Sequence, residues 1–325
     1  MKAFITGIGG FAGSHLAELL LREKEEVFGL VRDKKKCFNL EGPAGIDPAL
    51  TKGLTLCEGD ILHEELLRGI IGEIRPDVIY HVAGIASVPY ATDNPDLAFE
   101  VNFTGARRLL DAVLKSGQAP RILLVGSADV YGDVSPENLP IREDCPFRPL
   151  SPYAVGKAAT DLLAFQYFKT YGLPILRARP FNHIGPRQAM GFVCSDFAGQ
   201  IAEIEAGKRD PVVYTGDLRP EKDFLDVRDV VRAYHLIAKH ASPGEVFNIC
   251  RGEAVAIGTL LDKLIAMSGR EIEIRQEEKR LRKAEARAFI GNAQALKSRT
   301  GWAPTISLDE SLERILDYQR TRVMA

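Results

Sequence analysis

Little in this 325-residue chain invites a metal, a disulfide framework, a membrane or a nucleic acid. Its five cysteines, Cys37, Cys57, Cys145, Cys194 and Cys250, are odd in number and widely spaced, so neither a metal site nor paired disulfides are expected, in keeping with a reduced, cytoplasmic setting. The formal charge is only −2, which removes the basic footprint that nucleic acid or an anionic membrane would need. No uncharged apolar run is long enough to span a bilayer, and the opening MKAFITG goes straight into a strand and a glycine turn with no signal-like apolar region. Repeats and low-complexity tracts are also lacking. What remains is a chain 46% hydrophobic, able to bury a large core, whose partner is expected to be a small molecule.

Through residue 180 the chain alternates short apolar runs with longer helical patterns. KAFIT, EEVFGLV, GLTLCEGD, DVIYHVA, RILLVGS and LPILRAR read as strands; GSHLAELLLREK, PDLAFEVNFTGARRLLDAVLKSG and YAVGKAATDLLAFQYFKTYG read as helices, the last two ending in glycine. That rhythm predicts an α/β protein with a Rossmann-type doubly wound parallel sheet. Asp33 to Lys52 reads as a loop. After RARPFNHIGPRQ the rhythm breaks, which predicts a smaller C-terminal α/β lobe for substrate, residues 181–325, following a dinucleotide domain, residues 1–180, with later segments returning to it. The charged run 277–288, EEKRLRKAEARA, reads by default as a solvated face.

Gly7, Gly10 and Gly13 lie between the first strand and the first helix, where glycine lets the backbone approach a pyrophosphate and the helix N-terminus attracts it. Phe11 and Ala12 belong to the same expected cofactor turn. The second strand ends Val31-Arg32-Asp33. Arg32 suits a ribose 2′-phosphate and favours NADP, while Asp33 keeps NAD open. Asp60 and Ile61 after the third strand are expected beside the adenine, and HVAG, with Ala83 and Gly84, ends the fourth strand where the cofactor lies close.

The fifth strand brings Ser127 to the carboxyl edge of the sheet, where such sheets bind ligands. Tyr153 and Lys157 are one helical turn apart in SPYAVGK. A phenol ionises near pH 10 and makes a poor base unless a cation favours its ionised form, so Lys157 is expected to tune Tyr153, which exchanges a proton with a substrate oxygen held by Ser127. Individually each residue has a bland explanation, as turn former or surface side chain. Their joint placement after a cofactor turn makes chemistry the better one.

Together, TGIGGFAG, HVAG, GSADVYG, SPYAVGK and RPFNHIGPRQ resemble the extended short-chain dehydrogenase/reductases that act on nucleotide sugars, along essentially the whole chain. Within them, ARPFNHIGPRQAMGFVCSDFAGQIAEIEAGK, DFLDVRDVVRAYHLI and TGWAPTISLDESLERIL are similar to the GDP-4-keto-6-deoxymannose reductases. The resemblance implies that Ser127, Tyr153 and Lys157 are catalytic, and that Ala86 and His183 join the cofactor set. It further implies that Ser87, Asn182, Val193, Lys222, Arg282 and Glu285 meet a GDP-sugar. Lys222 stands where many relatives have Arg, a point charge in place of a fork. Asp129 stands where dehydratases carry Glu, so a dehydratase or 4-epimerase that cycles its NAD(P) is the alternative to a C4-ketone reductase. A dinucleotide-sensing protein without chemistry is a third reading, disfavoured by the intact Ser, Tyr and Lys. Such relatives dimerise through two long helices, here about 95–117 and 152–171, and a homodimer is implied.

Overall fold

The computed structural model describes residues 1–41, 45–280 and 288–324. Seven parallel strands form the main sheet. Six are the expected ones: β1 (Lys2–Thr6), β2 (Glu26–Val31), β3 (Leu54–Glu58), β4 (Val78–His81), β5 (Arg121–Val125) and β6 (Ile175–Pro180). The seventh, Val246–Ile249, comes from far along the chain and pairs in parallel with β6, with Phe247 opposite Ala178. From that edge the order is the seventh strand, β6, β5, β4, β1, β2, β3, so the winding reverses between β4 and β1. Ligands bind at that reversal in doubly wound sheets.

Both faces of the sheet are covered, which explains why its central strands are mostly apolar, with Arg177 and Arg179 of β6 paired to the Asp161 carboxylate. In β5, Leu123 and Val125 belong to one core, with α1 (Phe11–Arg22) and the helix Val227–His240. Ile122 and Leu124 belong to the other, with the helices Glu64–Ile74, Gly105–Ser116 and Pro152–Tyr171. Each buried Leu or Ile contributes roughly 1.5–3 kcal/mol by leaving water. A third core joins the helices Val193–Glu205, Ile257–Ser268 and Leu308–Met324 through residues such as Phe197, Leu261 and Leu316.

Two local differences from the sequence reading have physical reasons. The expected loop after β2 contains short helical turns at Lys34–Lys36, Phe38–Glu41 and Thr51–Gly53, the first begun by Asp33, whose carboxylate accepts the Lys35 amide at 2.9 Å. The long helix expected at 95–117 is divided: a π-helical turn at Glu100–Thr104 separates Pro95–Phe99 from Gly105–Ser116. Such turns insert a residue and re-aim side chains, often at functional sites. Among the described residues no helix is long and apolar enough to cross a membrane.

Candidate active site

The carboxyl ends of six parallel strands gather the residues singled out above along one edge. At β1, Gly7 has φ +77° and a Cβ on it would lie 2.6 Å from the Ala83 nitrogen, so only glycine lets this turn pass the end of β4. A Cβ on Gly13 would lie 2.1 Å from the Gly7 carbonyl oxygen. Gly10 caps α1 without offering a side-chain acceptor. Ala12 and Gly13 are buried, whereas Phe11 stacks on His183 with centroids 5.6 Å apart and planes at 9°. The turn is thus a backbone cradle suited to a pyrophosphate, which is what the Rossmann class requires.

At the end of β2 the two candidate side chains part. Arg32 is exposed, while Asp33 is half-buried, committed to the Lys35 amide and paired with Lys36 at 3.5 Å. Asp60 turns its carboxylate to the Leu62 amide at 2.9 Å, and Ile61 is buried against Gly105. After β4, Gly84 and Ala86 are exposed at the edge. A Cβ on Gly84 would lie 3.4 Å from the Lys157 Nζ and 2.8 Å from the Asn102 Oδ1. Ser87 caps the next short helix, its hydroxyl accepting the Tyr90 amide at 3.3 Å.

The helix Pro152–Tyr171 starts as the sequence requires. Ser151 accepts the Ala154 amide at 3.1 Å, Pro152 fills the first position, and Gly172 closes it in the left-handed region. Tyr153 and Lys157 are both buried on its inner face. Ser127 lies opposite, at the start of a one-turn helix, its Oγ accepting the Asp129 amide at 3.1 Å. Ser127, Asp129 and Tyr153 share one electrostatic environment. The Tyr153 phenol is held well above its ordinary value, by burial first and then by the Asp129 carboxylate, with a hydrogen bond from Ser127 pulling the other way.

Lys157 reaches from this helix to the end of β5. Its ammonium donates to the Val125 carbonyl at 2.9 Å, and burial brings its own pKa down to about 8. Burial and the Asp129 carboxylate both favour the neutral phenol. A phenol that keeps its proton at pH 7 is poised as an acid rather than a base.

One polar residue at the site escaped the sequence reading. Asn102, buried in the π-helical turn, accepts the Ile85 amide at 2.7 Å and donates to the Ile85 carbonyl at 3.1 Å, clamping the segment after β4. Its own carbonyl accepts the Thr160 hydroxyl at 3.0 Å, tying that segment to the helix of Tyr153. Nothing in its spacing distinguishes it from other polar positions on an amphipathic helix.

The remaining positions are spread toward the second lobe. His183 is half-buried, Nδ1 bonded to the Phe181 carbonyl at 3.0 Å, and burial lowers its pKa. Asn182 is half-buried in the strand Asn182–Ile184, which pairs with Glu221–Asp226. Val193 opens its helix against the third core, and Lys222 lies 5.8 Å from the centroid of Phe289. Arg282 and Glu285 lie outside the described residues. No cluster of His, Cys, Asp or Glu that could hold a metal occurs among the described residues.

A doubly wound sheet with this glycine cradle, and with Ser127 facing the Tyr153 and Lys157 helix at its carboxyl edge, defines an oxidoreductase of the extended short-chain dehydrogenase/reductase class. Residues 4–315 match the family described as GDP-mannose 4,6 dehydratase, and the chain belongs to that family. It is 35% identical to the GDP-6-deoxy-D-mannose reductase of Pseudomonas aeruginosa, over 99% of this chain and 98% of that protein. It is 30% identical to GDP-mannose 4,6 dehydratase 2 of Arabidopsis thaliana, over 97% and 86%. Among solved structures it is similar to RMD from Pseudomonas aeruginosa complexed with NADPH, at 34% identity and a TM-score of 0.83, covering 99% of both chains.

Proposed function

We propose that the protein reduces the C4 ketone of GDP-4-keto-6-deoxy-D-mannose to give GDP-D-rhamnose, with NADPH as reductant and NAD as the alternative cofactor type. The observation that carries this reading is a buried Tyr153 beside Ser127, its phenol held above its ordinary value by burial, in a chain with full-length similarity to a GDP-6-deoxy-D-mannose reductase. The dinucleotide, when bound, supplies the hydride. Ser127 orients the carbonyl oxygen, Tyr153 donates a proton to it as the alcohol forms, and Lys157, which anchors the helix to β5 beside Gly84, would hold the cofactor ribose. Gly7, Gly10, Phe11, Ala12, Gly13, Asp60, Ile61, Ala83, Gly84, Ala86 and His183 line the dinucleotide seat in this reading. Support for NADP comes from Arg32, which is exposed where Asp33 is already engaged, and from the NADPH in the similar solved structure.

Residues 1–180 are proposed to hold the dinucleotide and residues 181–325 mainly the nucleotide sugar, through Asn182, Val193, Lys222, Arg282 and Glu285, with Ser87 reaching it from the first domain. We also propose that a second copy of the chain covers the exposed apolar side chains Leu97, Phe99, Val155, Leu162 and Phe165, which lie on two helical segments packed on each other.

Asp129 favours a second reading, because its carboxylate acts on the Tyr153 phenol from where a dehydratase needs an extra acid/base. Two assays separate the readings. With NADPH and GDP-4-keto-6-deoxy-D-mannose, a reductase consumes the cofactor stoichiometrically. With GDP-mannose and catalytic NADP, a dehydratase accumulates keto-sugar without net cofactor change. Failure to oxidise NADPH in the first assay would overturn the leading assignment.

A further inference from the structure

Tyr153 and Lys157 are followed, one turn further along the same helix face, by Asp161, and all three are buried. Asp161 sits in a charge network deeper than the reaction site. Arg179 of β6 grips it with two parallel bonds, Nε to Oδ2 at 2.9 Å and Nη2 to Oδ1 at 3.0 Å, and Arg177 adds a third at 2.8 Å. The Arg179 guanidinium also reaches away from the helix. Its Nη1 donates to the Tyr131 hydroxyl at 2.8 Å and to the Glu143 carbonyl at 2.9 Å, and its carbon lies 4.6 Å from the Phe147 ring centroid. Tyr131 in turn donates to the Asn248 Oδ1 at 2.7 Å.

Tyr131 ends the short turn that begins at Ser127 and carries Asp129. Arg179 therefore connects, through one rigid planar group, the helix face bearing Tyr153 and Lys157 to the turn bearing Ser127 and Asp129. β5 and β6 already hold these elements roughly in place, with the Gly126 amide on the Ala178 carbonyl at 2.7 Å. The turn is also held by the Arg148 amide on the Val130 carbonyl at 3.0 Å, and Arg179 adds a charged link from it to the helix of Tyr153. Burying a guanidinium that is only 4% exposed is expensive, and an apolar filling of the same volume commonly gives equal or better stability. A buried charge in this position is therefore better explained by the geometry it enforces.

We propose that Arg179 is a positioning residue, which through Asp161 and the Tyr131 hydroxyl sets the distance between Ser127 and the Tyr153 phenol. This rests on the catalytic roles proposed above. A fork is required: a lysine could neutralise Asp161 but could not hold both carboxylate oxygens and the Tyr131 hydroxyl in one plane.

The test compares Tyr131→Phe and Arg179→Lys with Tyr153→Phe, measuring kcat, KM for the keto-sugar, NADPH affinity by fluorescence, and thermal midpoint. Tyr131→Phe removes one hydroxyl and leaves the Arg179–Asp161 pair intact, so it is the variant that keeps its fold. Expected for it is a loss of about tenfold or more in kcat, with KM and NADPH affinity within about twofold of the wild type, because only the alignment of reacting groups has changed. Arg179→Lys should reproduce that pattern rather than rescue the wild-type rate. A lower thermal midpoint with wild-type kcat in Tyr131→Phe would overturn the proposal and leave Arg179 a purely structural residue. If Tyr153→Phe itself retained turnover, the underlying catalytic assignment would fall instead, so the two failures are distinguishable.

Discussion

At the scale of single residues, the direction of proton transfer depends on the field around one phenol. Asp129 disfavours a negative charge on Tyr153, so its carboxylate helps to keep the proton on the oxygen proposed to give it away. Replacing it by its neutral isostere, Asp129→Asn, removes that repulsion and lets the phenol ionise at lower pH. The alkaline limb of the kcat profile for ketone reduction should then move toward neutral pH, while activity at the optimum stays within about tenfold. A limb that does not move would show that the carboxylate does not act on the catalytic acid. The sequence made Gly7, Gly13, Ser127, Tyr153 and Lys157 legible because steric fit and reactivity limit which residues serve at such points. It could not reveal the field around them, because the burial and the Asp129 carboxylate that raise the phenol depend on the folded packing. Asn102 and Arg179 were hidden for another reason. Their meaning lies in partners 17 and 18 residues away, Ile85 and Asp161, which no local periodicity signals.

Among the elements, the six alternating strands were readable because strands covered on both faces are short, mostly apolar runs between turn residues. Val246–Ile249 was less so, since four residues after a Pro-Gly pair carry too little pattern to assign them to a distant sheet edge. The break of the 95–117 helix into three pieces was invisible, because its apolar spacing continues across the π-helical turn. The helix Pro152–Tyr171 divides its labour: Tyr153, Lys157 and Asp161 face inward, while Val155, Leu162, Phe165 and Tyr171 remain exposed. Leu162 is 61% exposed, among these outer side chains. Leu162→Glu would put a charge at the centre of the proposed homodimer contact and should weaken association by about 30-fold or more, read as a monomer by sedimentation. A dimer of unchanged affinity would place the contact elsewhere, and a wild type that sediments as a monomer would remove the dimer altogether.

For the whole molecule, acid stability follows from buried histidines. His15 is pushed down to about 4, by burial first and then by the Arg187 guanidinium beside its Nδ1 at 3.0 Å; His81 falls to about 3 through burial, then Lys157. The unfolded chain binds protons at both sites below their ordinary value of 6.5 while the fold does not, so their contribution is complete above pH 6.5 and is lost as the pH falls toward 4. For His15 this amounts to about 3 kcal/mol. Asp223, raised to about 6 by burial despite three backbone amides on its carboxylate, acts in the opposite sense, stabilising below its ordinary 3.8 and losing that contribution as the pH rises through 6. His183 and His235, also lowered by burial, act with His15 and His81, whereas Glu25 and Glu143, raised by burial, act with Asp223; the larger histidine shifts predict a thermal midpoint that falls on acidification from pH 6.5 toward 4. His15→Gln should flatten that dependence, and an unchanged slope would assign it to other groups.

The seventh strand has a consequence for how the protein is made. Because the outer neighbour of β6 is Val246–Ile249, a nascent chain that has emerged only through Pro180 presents an open row of amides and carbonyls along Ile175–Pro180. The main sheet must wait, with that border bare, until about seventy further residues have left the ribosome. Synthesis of residues 181–249 is thereby the step that seals the sheet begun by residues 1–180.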